Sequence, residues 1–282
     1  MHDQDATSYR IQSLASWQAA APAWERERAA IWRAARAISE WLVEHGDPQP
    51  GERVLDIACG TGDTGLLAAQ RVGPSGLLLS TDRAPEMVAA TGRRADELGL
   101  TNVSCRTLDA EAMDLDDGSF DVALCRWGFM LMADPLAALR ETRRVLTDRG
   151  RLALAVWGAP DRNPWSSLLS GVFIERGLLP AIDPRSPGMF RLADPSVLEA
   201  LLYEAGFGEV SVEEIAVRWQ FASFDETWRV ITSLSTSMTA AIDRLGDDEV
   251  SDIRAEAMRR CAPYSTESGV ELPGVSLVAA AR

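Results

Sequence analysis

The sequence predicts an α/β fold built on a parallel sheet. Apolar runs of strand length alternate with helical stretches between residues 53 and 157, and the first run ends in a glycine-rich loop. The five runs are 53–58 (RVLDIA), 77–81 (LLLST), 103–107 (VSCRT), 120–125 (FDVALC) and 151–157 (RLALAVW), with Gly73, Gly76, Gly99, Gly118 and Gly150 at the joins. Helices are predicted near 64–72, 85–98 and 135–147; in the last, Leu136, Leu139, Val145 and Leu146 fall close to one face. After the fifth run the rhythm changes. Residues 158–194 are rich in Pro, Asp and Gly around one helix at 164–178, and a helix at 195–205 leads to an extended run at 209–221. Residues 224–262 read as mostly helical, and 270–282 closes the chain as a strand. Ahead of the first strand, Trp17, Trp24, Ile31, Trp32, Ile38, Trp41 and Leu42 stand in an Arg/Glu-rich background, the pattern of one or two amphipathic helices over 10–45. Trp32 and Trp41 are assigned to the core.

A chain of 282 residues, 46% of them hydrophobic, can bury the core of one large or two modest domains. Its N-terminal stretch, MHDQDATSYR, is polar and acidic, and no apolar run approaches the roughly 18 residues of a membrane span. A cytoplasmic protein without a membrane span is expected. Cys59, Cys105, Cys125 and Cys261 are scattered without CxxC or His-linked spacing, so the reading is reduced, buried thiols, no disulfide framework and no metal site. The formal charge of −14 has the wrong sign for nucleic acid or an anionic membrane. Every basic group is Arg, because the chain contains no Lys, and the only histidines are His2 and His45, both ahead of the glycine loop. Mechanisms that need a Lys, or a His late in the chain, are excluded.

The stretch VLDIACGTGDTG places glycines at 60, 62 and 65, the GxGxxG spacing that cradles a dinucleotide pyrophosphate at a helix N-terminus. Asp82, 22 residues past Gly60, stands where an acid would take ribose hydroxyls. Asp56 argues against a dinucleotide: a fixed carboxylate four residues before Gly60 repels phosphates and attracts an ammonium or a sulfonium. Hydride transfer would also need a Tyr–Lys pair or a His acting on substrate, and neither follows the loop.

VLDIACGTGDTG, then LLLSTDRAPEMV, TLDAEAMDLDDGSFDVALCRWGFML and LRETRRVLTDRGRLALAVW, together resemble the class I S-adenosylmethionine-dependent methyltransferases. The sequence is most similar to their ubiquinone/menaquinone C-methyltransferase-like group. The likeness is continuous over 50–157 and looser over 196–282, while 1–45 and 158–195 are divergent. It implies a Rossmann-like, doubly wound, seven-stranded sheet whose last strand is antiparallel, with helical lid additions. The implied organisation is an N-terminal helical lid at 1–48, a cofactor-binding core at 49–157, an insertion contributing to the lid at 158–195, core continued at 196–223, a helical lid segment at 224–268 and a final core strand at 269–282. The implied cofactor is S-adenosyl-L-methionine. Ala58, Gly60, Thr61 and Gly62 would pass under its amino-acid half with Asp56 facing the ammonium, Asp82 would hold the ribose, Arg83 and Met87 would flank the adenine, and Asp109 with Ala110 would read its edge. Arg126 sits where relatives touch the methionine portion; it could equally orient an anionic substrate or pair with Asp134.

The acceptor is less legible. Methyl transfer is an in-line displacement that needs a base only when the nucleophile must lose a proton. Tyr9, Glu25, Asp161 and Tyr264 are the candidates for that role. Trp127 and Trp165, at the carboxyl edge of the sheet, and Trp24 are candidates for a pocket that takes a flat or apolar small molecule. Whether carbon, oxygen or nitrogen is methylated stays open, as does a homodimer. Two other readings remain at this point: an NAD(P)-dependent oxidoreductase, and a non-methylating protein that keeps the fold. Asp82→Ala is expected to abolish cofactor binding with the fold intact.

Overall fold

The computed structural model describes residues 3–183 and 185–282, so His2 lies outside the described residues. Strand β1 (Arg53–Ile57) forms at the first apolar run, and its last four residues are buried, as a strand covered on both faces requires. It pairs in parallel with β2 (Leu77–Asp82) on one side and β4 (Phe120–Arg126) on the other. Parallel pairing continues outward to β3 (Val103–Thr107) beside β2 and to β5 (Leu146–Trp157) beside β4. The chain then crosses to β6 (Ser211–Phe221) at the edge and returns through β8 (Gly269–Ala281), which inserts antiparallel between β5 and β6.

The order β3-β2-β1-β4-β5-β8-β6 reverses between β1 and β4, which opens a crevice at the carboxyl ends of those strands. These seven strands, the last of them in sequence antiparallel, match the sequence reading. An eighth strand, β7 (Ser265–Thr266), pairs with the start of β8 and corrects the count. Two residues leave no periodicity to read.

Helices α1 (Asp3–Arg26) and α2 (Arg28–Gly46) are separated by Glu27 alone. In α2, Ile31, Ala35, Ile38 and Leu42 form a buried stripe that packs on β4, β5, β6 and β8 and on α3 (Asp63–Val72). Trp32 and Trp41 flank that stripe and are half-buried; Trp41 packs against the core, as expected, and stacks on the His45 ring at 3.8 Å, whereas Trp32 is not among the residues of the core, which corrects its assignment. Helix α1 packs instead on α4 (Pro85–Glu97), α8 (Phe224–Leu234) and α9 (Thr236–Ile242). The range 1–48 therefore divides, α2 joining the sheet layer and α1 lying over the crevice.

Helix α5 (Pro135–Val145) contacts α7 (Pro195–Glu204), while α6 (Pro164–Glu175) contacts α8 and α10 (Asp247–Cys261). Cys59, Cys125 and Cys261 are buried free thiols, and Cys105 is half-buried, which corrects its placement. Among the described residues no helix is long and apolar enough to cross a membrane.

Candidate active site

The segments that follow β1 through β4 border one cleft, open to solvent. Among its buried polar groups is Asp56, which the register of β1 sets in the middle of the sheet, 2% exposed. Burial pushes its carboxyl up to about 7; Arg126 opposes that shift, Asp82 adds to it, and the Ser80 hydroxyl and Gly65 amide hold the charged form. Gly65 has a specific reason to be glycine: a Cβ there would lie 2.2 Å from Asp56 Oδ2. Gly62 makes the turn into α3 at φ +85, where a Cβ would also meet Thr91 at 2.8 Å.

Asp82 ends β2 with both oxygens occupied by backbone: Oδ2 accepts from Gly60 N–H at 3.1 Å and Oδ1 from Ala84 N–H at 2.9 Å. Burial raises its carboxyl, and these amides work in the other direction. Each oxygen keeps a second lone pair for a ligand hydroxyl. Arg83 Nε lies 3.4 Å from Asp109 Oδ2, so two residues expected around an adenine pair with each other at the cleft wall. Asp109 Oδ1 also accepts from Glu111 N–H. Ala58, Gly60, Thr61, Met87, Ala110 and Arg126 all border the cleft with them. Gly62 shapes the loop without bordering it.

Arg126 pairs with Asp63, not with Asp134, whose side chain caps α5 by accepting from Ala137 N–H. Trp127 follows at φ +60, a left-handed backbone rare for a large side chain. Its ring borders the cleft and stacks on Trp157 at 4.2 Å, and its Nε1 donates to Ser276 Oγ. The turn is held tight because a Cβ at Gly128 would sit 2.7 Å from Ala58 Cβ. Trp24 also borders the cleft, edge-on to Trp17 at 5.3 Å, and donates from Nε1 to Leu234 O.

Trp165 does not reach the cleft, which corrects its assignment to the pocket. Its Nε1 donates to Asn163 Oδ1, and its ring is buried between Trp157 and Trp219 at 4.8 and 4.7 Å. Of the four base candidates, Glu25 is on the surface in an ion pair with Arg93 that lowers its pKa. Asp161 is exposed in the turn Pro160–Arg162, and Tyr264 is half-buried in the turn Ala262–Tyr264; neither borders the cleft. Tyr9 comes nearest, donating its hydroxyl to Leu131 O at 2.6 Å, and burial raises its pKa so that it stays a phenol.

The sequence reading missed Glu111, Leu131 and Met132, which border the cleft beside motifs already singled out. It also missed Ser13 and Leu14 on α1, for which the sequence carried no signal, since only the tertiary fold lays α1 across the strand ends. The arrangement suits an adenosine bearing an amino acid. A carboxylate and a guanidinium lie at one end, Asp82 in the middle, and Met87 with the Arg83–Asp109 pair at the other. The Thr61 hydroxyl is buried with no partner of its own.

A family model described as a methyltransferase domain matches residues 48–164. Aklanonic acid methyltransferase of Streptomyces sp. strain C5 is 37% identical over 112 residues, covering 40% of this chain and 51% of that one. Demethylmenaquinone methyltransferase of Thermus thermophilus is 32% identical over 184 residues, covering 61% of this chain and 78% of that one. Among solved structures, the YcgJ protein of Bacillus subtilis has the same fold at a TM-score of 0.58 and 19% identity, covering 88% of this chain and 98% of that one. The chain spans 37% to 51% of the length of several curated relatives it matches. Aligned over most of a demethylmenaquinone methyltransferase, with the cleft set at the switch point of its sheet, the chain belongs to the class I S-adenosylmethionine-dependent methyltransferases.

Proposed function

We propose that this chain transfers a methyl group from S-adenosylmethionine to a small acceptor with a flat, apolar body. The observation that carries the reading is the continuity of the cleft. Asp82, Asp109 and Met87 border the same cleft as Asp56 and Thr61 and as Trp127, Leu131 and Met132, so cofactor and acceptor would share one space. Asp82 would hold the ribose and Asp56 the ammonium. When bound, the cofactor supplies a methyl group activated on sulfonium.

The chain's contribution is then orientation and exclusion of water, which suffice for an in-line displacement between well-placed reactants. Leu14, Trp17 and Trp24 of α1 cover the cleft, and the Trp127 ring, fixed by Ser276 and Trp157, forms its wall. Helix α1 and the segments at 158–195 and 224–268 form the lid in this reading. Tyr9 holds its proton on Leu131 O, and Glu111 is tied to Arg10 and to the Ala133 amide, so neither is placed as a free base. An acceptor that is acidic enough to ionise in water, or that reacts through electron-rich carbon, suits such a site. The name of the Thermus thermophilus relative supports a quinone-like acceptor.

The test is calorimetric titration with S-adenosylmethionine, S-adenosylhomocysteine and NAD in parallel, followed by a screen of phenols and quinols for S-adenosylhomocysteine formation. Micromolar binding of the first two, with none of NAD, is expected. NAD binding alone would overturn the proposal.

A further inference from the structure

Residues 130–133 follow β4 and are the meeting point of three segments that lie far apart in sequence. The single 3-10 turn Phe129–Leu131 is too short to hold its own last carbonyls, and α5 starts only at Pro135, so the carbonyls of this stretch have no helical partner. All four find one elsewhere. Met130 O accepts from Gly188 N–H, Leu131 O from the Tyr9 hydroxyl at 2.6 Å, and Met132 O and Ala133 O from Arg191 Nη1 at 2.7 and 3.0 Å. The Ala133 N–H goes to Glu111, which also takes Arg10. Leu131, Met132 and Ala133 border the cleft.

Arg191 is firmly mounted. Its N–H closes a turn onto Gly188 O, and the flanking Phe190 and Leu192 are buried in the core. Whereas Arg10 meets a carboxylate, Arg191 sets its charge against two carbonyls. It also stands close to Tyr9: burial raises the pKa of that phenol, and the Ser13 hydroxyl and the Arg191 charge oppose the shift. None of the described residues of 158–195 borders the cleft, so Arg191 reaches it through the backbone of residues 132 and 133. Helix α1 needs such support. Leu14 and Trp17 pack in a small cluster with Ala21, Ala84 and Met87, apart from the main core, so the first turns of α1 depend on what Tyr9 and Arg10 hold.

Resting on the cofactor reading above, we propose that Arg191 is a positioning residue for the cover of the cleft. By fixing the Met132 and Ala133 carbonyls it presents Leu131 O to Tyr9 and the Ala133 N–H to Glu111. The 158–195 segment and α1 thus close on one shared stretch of backbone and loosen together. Release of S-adenosylhomocysteine is thereby governed by a residue that does not border the cleft.

The test combines amide hydrogen exchange on the ligand-free full chain with stopped-flow dissociation of S-adenosylhomocysteine, for Arg191→Ala, Arg191→Lys, Arg10→Ala and the double variant Arg10→Ala/Arg191→Ala. In Arg191→Ala, exchange should quicken at 130–133 and also along the first turns of α1, while β1 and β4 stay protected, which separates the effect from a general loss of stability. S-adenosylhomocysteine should leave about three- to tenfold faster, the span of one or two hydrogen bonds, and Arg191→Lys should recover part of the difference. The double variant should release it little faster than the quicker single variant, because both substitutions free the same stretch. Exchange that quickens only near residues 188–191 and 130–133, or rate factors that multiply in the double variant, overturns the proposal. If the unmutated chain bound no S-adenosylhomocysteine, the cofactor reading would fall, and exchange in the ligand-free chain would still decide whether Arg191 holds α1.

Discussion

The carboxylate of Asp56 occupies the space that a side chain at position 65 would need. A Cβ on Gly65 would lie 2.2 Å from Asp56 Oδ2 and 2.9 Å from its Cβ, and neither group can yield, because one is on a helix and the other in the middle strand of the sheet. Gly65→Ala is therefore expected to cost about 1–3 kcal/mol of stability, as overpacking does, and to displace the acid beneath the cleft. Thermal melts and S-adenosylhomocysteine titration should both register it. Gly92→Ala is the control: it lies inside α4, the nearest atom to its Cβ is Cys105 Sγ at 4.0 Å, and its melt should hold or rise.

Asp82 has two tasks in the structure. It borders the cleft, and it accepts from the amides of Gly60 and Ala84, so it also fixes the glycine loop against β2. Asp82→Ala should weaken S-adenosylhomocysteine binding by about a hundredfold or more and lower stability by about 1–3 kcal/mol through two unsatisfied amides. Intact stability, the expectation from sequence, would show that the loop does not lean on Asp82. Affinity in calorimetry within a few fold of the unmutated chain would sink its ligand role.

With Asp56 facing the cofactor's ammonium, as proposed, binding is expected to depend on pH. With its carboxyl pushed up to about 7 by burial, the free protein carries it largely protonated below neutrality, whereas an ammonium ligand needs the carboxylate. Affinity for S-adenosylhomocysteine should fall by about tenfold between pH 8 and pH 6, and Asp56→Asn should bind weakly without that dependence. The stability effect has the opposite direction. A folded-state pKa above the unfolded value stabilises at low pH, and this contribution is lost as pH rises from about 4 to about 7. Relative to the unmutated chain, Asp56→Asn should gain stability across that window, by up to about 4 kcal/mol at 1.36 kcal/mol per pKa unit. A flat difference in melting temperature across the window would show that burial does not control Asp56.

The sheet, and most of the residues after β1, β2 and β3 that border the cleft, were legible because both are written locally. Strands such as 53–57 and 120–126 are short apolar runs beside glycines, and Asp56, Asp82 and Asp109 each stand at a fixed distance from them. What could not be read depends on contacts between distant segments. Trp127 directly follows β4 and Trp165 opens the segment after β5, so both look placed at the carboxyl edge of the sheet, but Asn163 and the Trp157 and Trp219 rings draw Trp165 into a buried stack. Ser39, at the centre of a helix, gave no sign that Arg126, 87 residues away, would bond to it. Glu25 and Asp161 have suitable chemistry and face solvent.

The tryptophan stack separates stability from binding. Trp165→Ala removes a ring packed on two others and leaves the Asn163 carbonyl without its indole donor, so a loss of about 3–5 kcal/mol is expected with cofactor affinity retained in the folded fraction. Trp24→Ala opens the cleft wall and should weaken ligand binding at a smaller cost in stability. If Trp165→Ala lost affinity for S-adenosylhomocysteine while its melt stayed unchanged, the placement of this ring away from the cleft would be wrong.

Helix α1 is fastened across the cleft by one buried carboxylate. Glu111 accepts from Ala133 N–H through one oxygen and takes Nε and Nη2 of Arg10 through the other, while Tyr9 on the same turn of α1 holds Leu131 O. Removing Arg10 leaves Glu111, 6% exposed, with one hydrogen-bond partner and no counter-charge, a costly state in a low-dielectric site. Arg10→Ala should therefore speed amide hydrogen exchange along α1 and weaken S-adenosylhomocysteine binding severalfold, chiefly through faster dissociation, since Leu14 and Trp17 no longer stay over the ligand. Arg93→Ala breaks another contact of α1, the pair with Glu25, in full solvent exposure, where such pairs contribute about 0–1 kcal/mol. Exchange and affinity should hardly change there. Equal effects of the two substitutions would mean that α1 is held by its general packing on α4 and α8, and that the Arg10–Glu111 pair has no special part in closing the cleft.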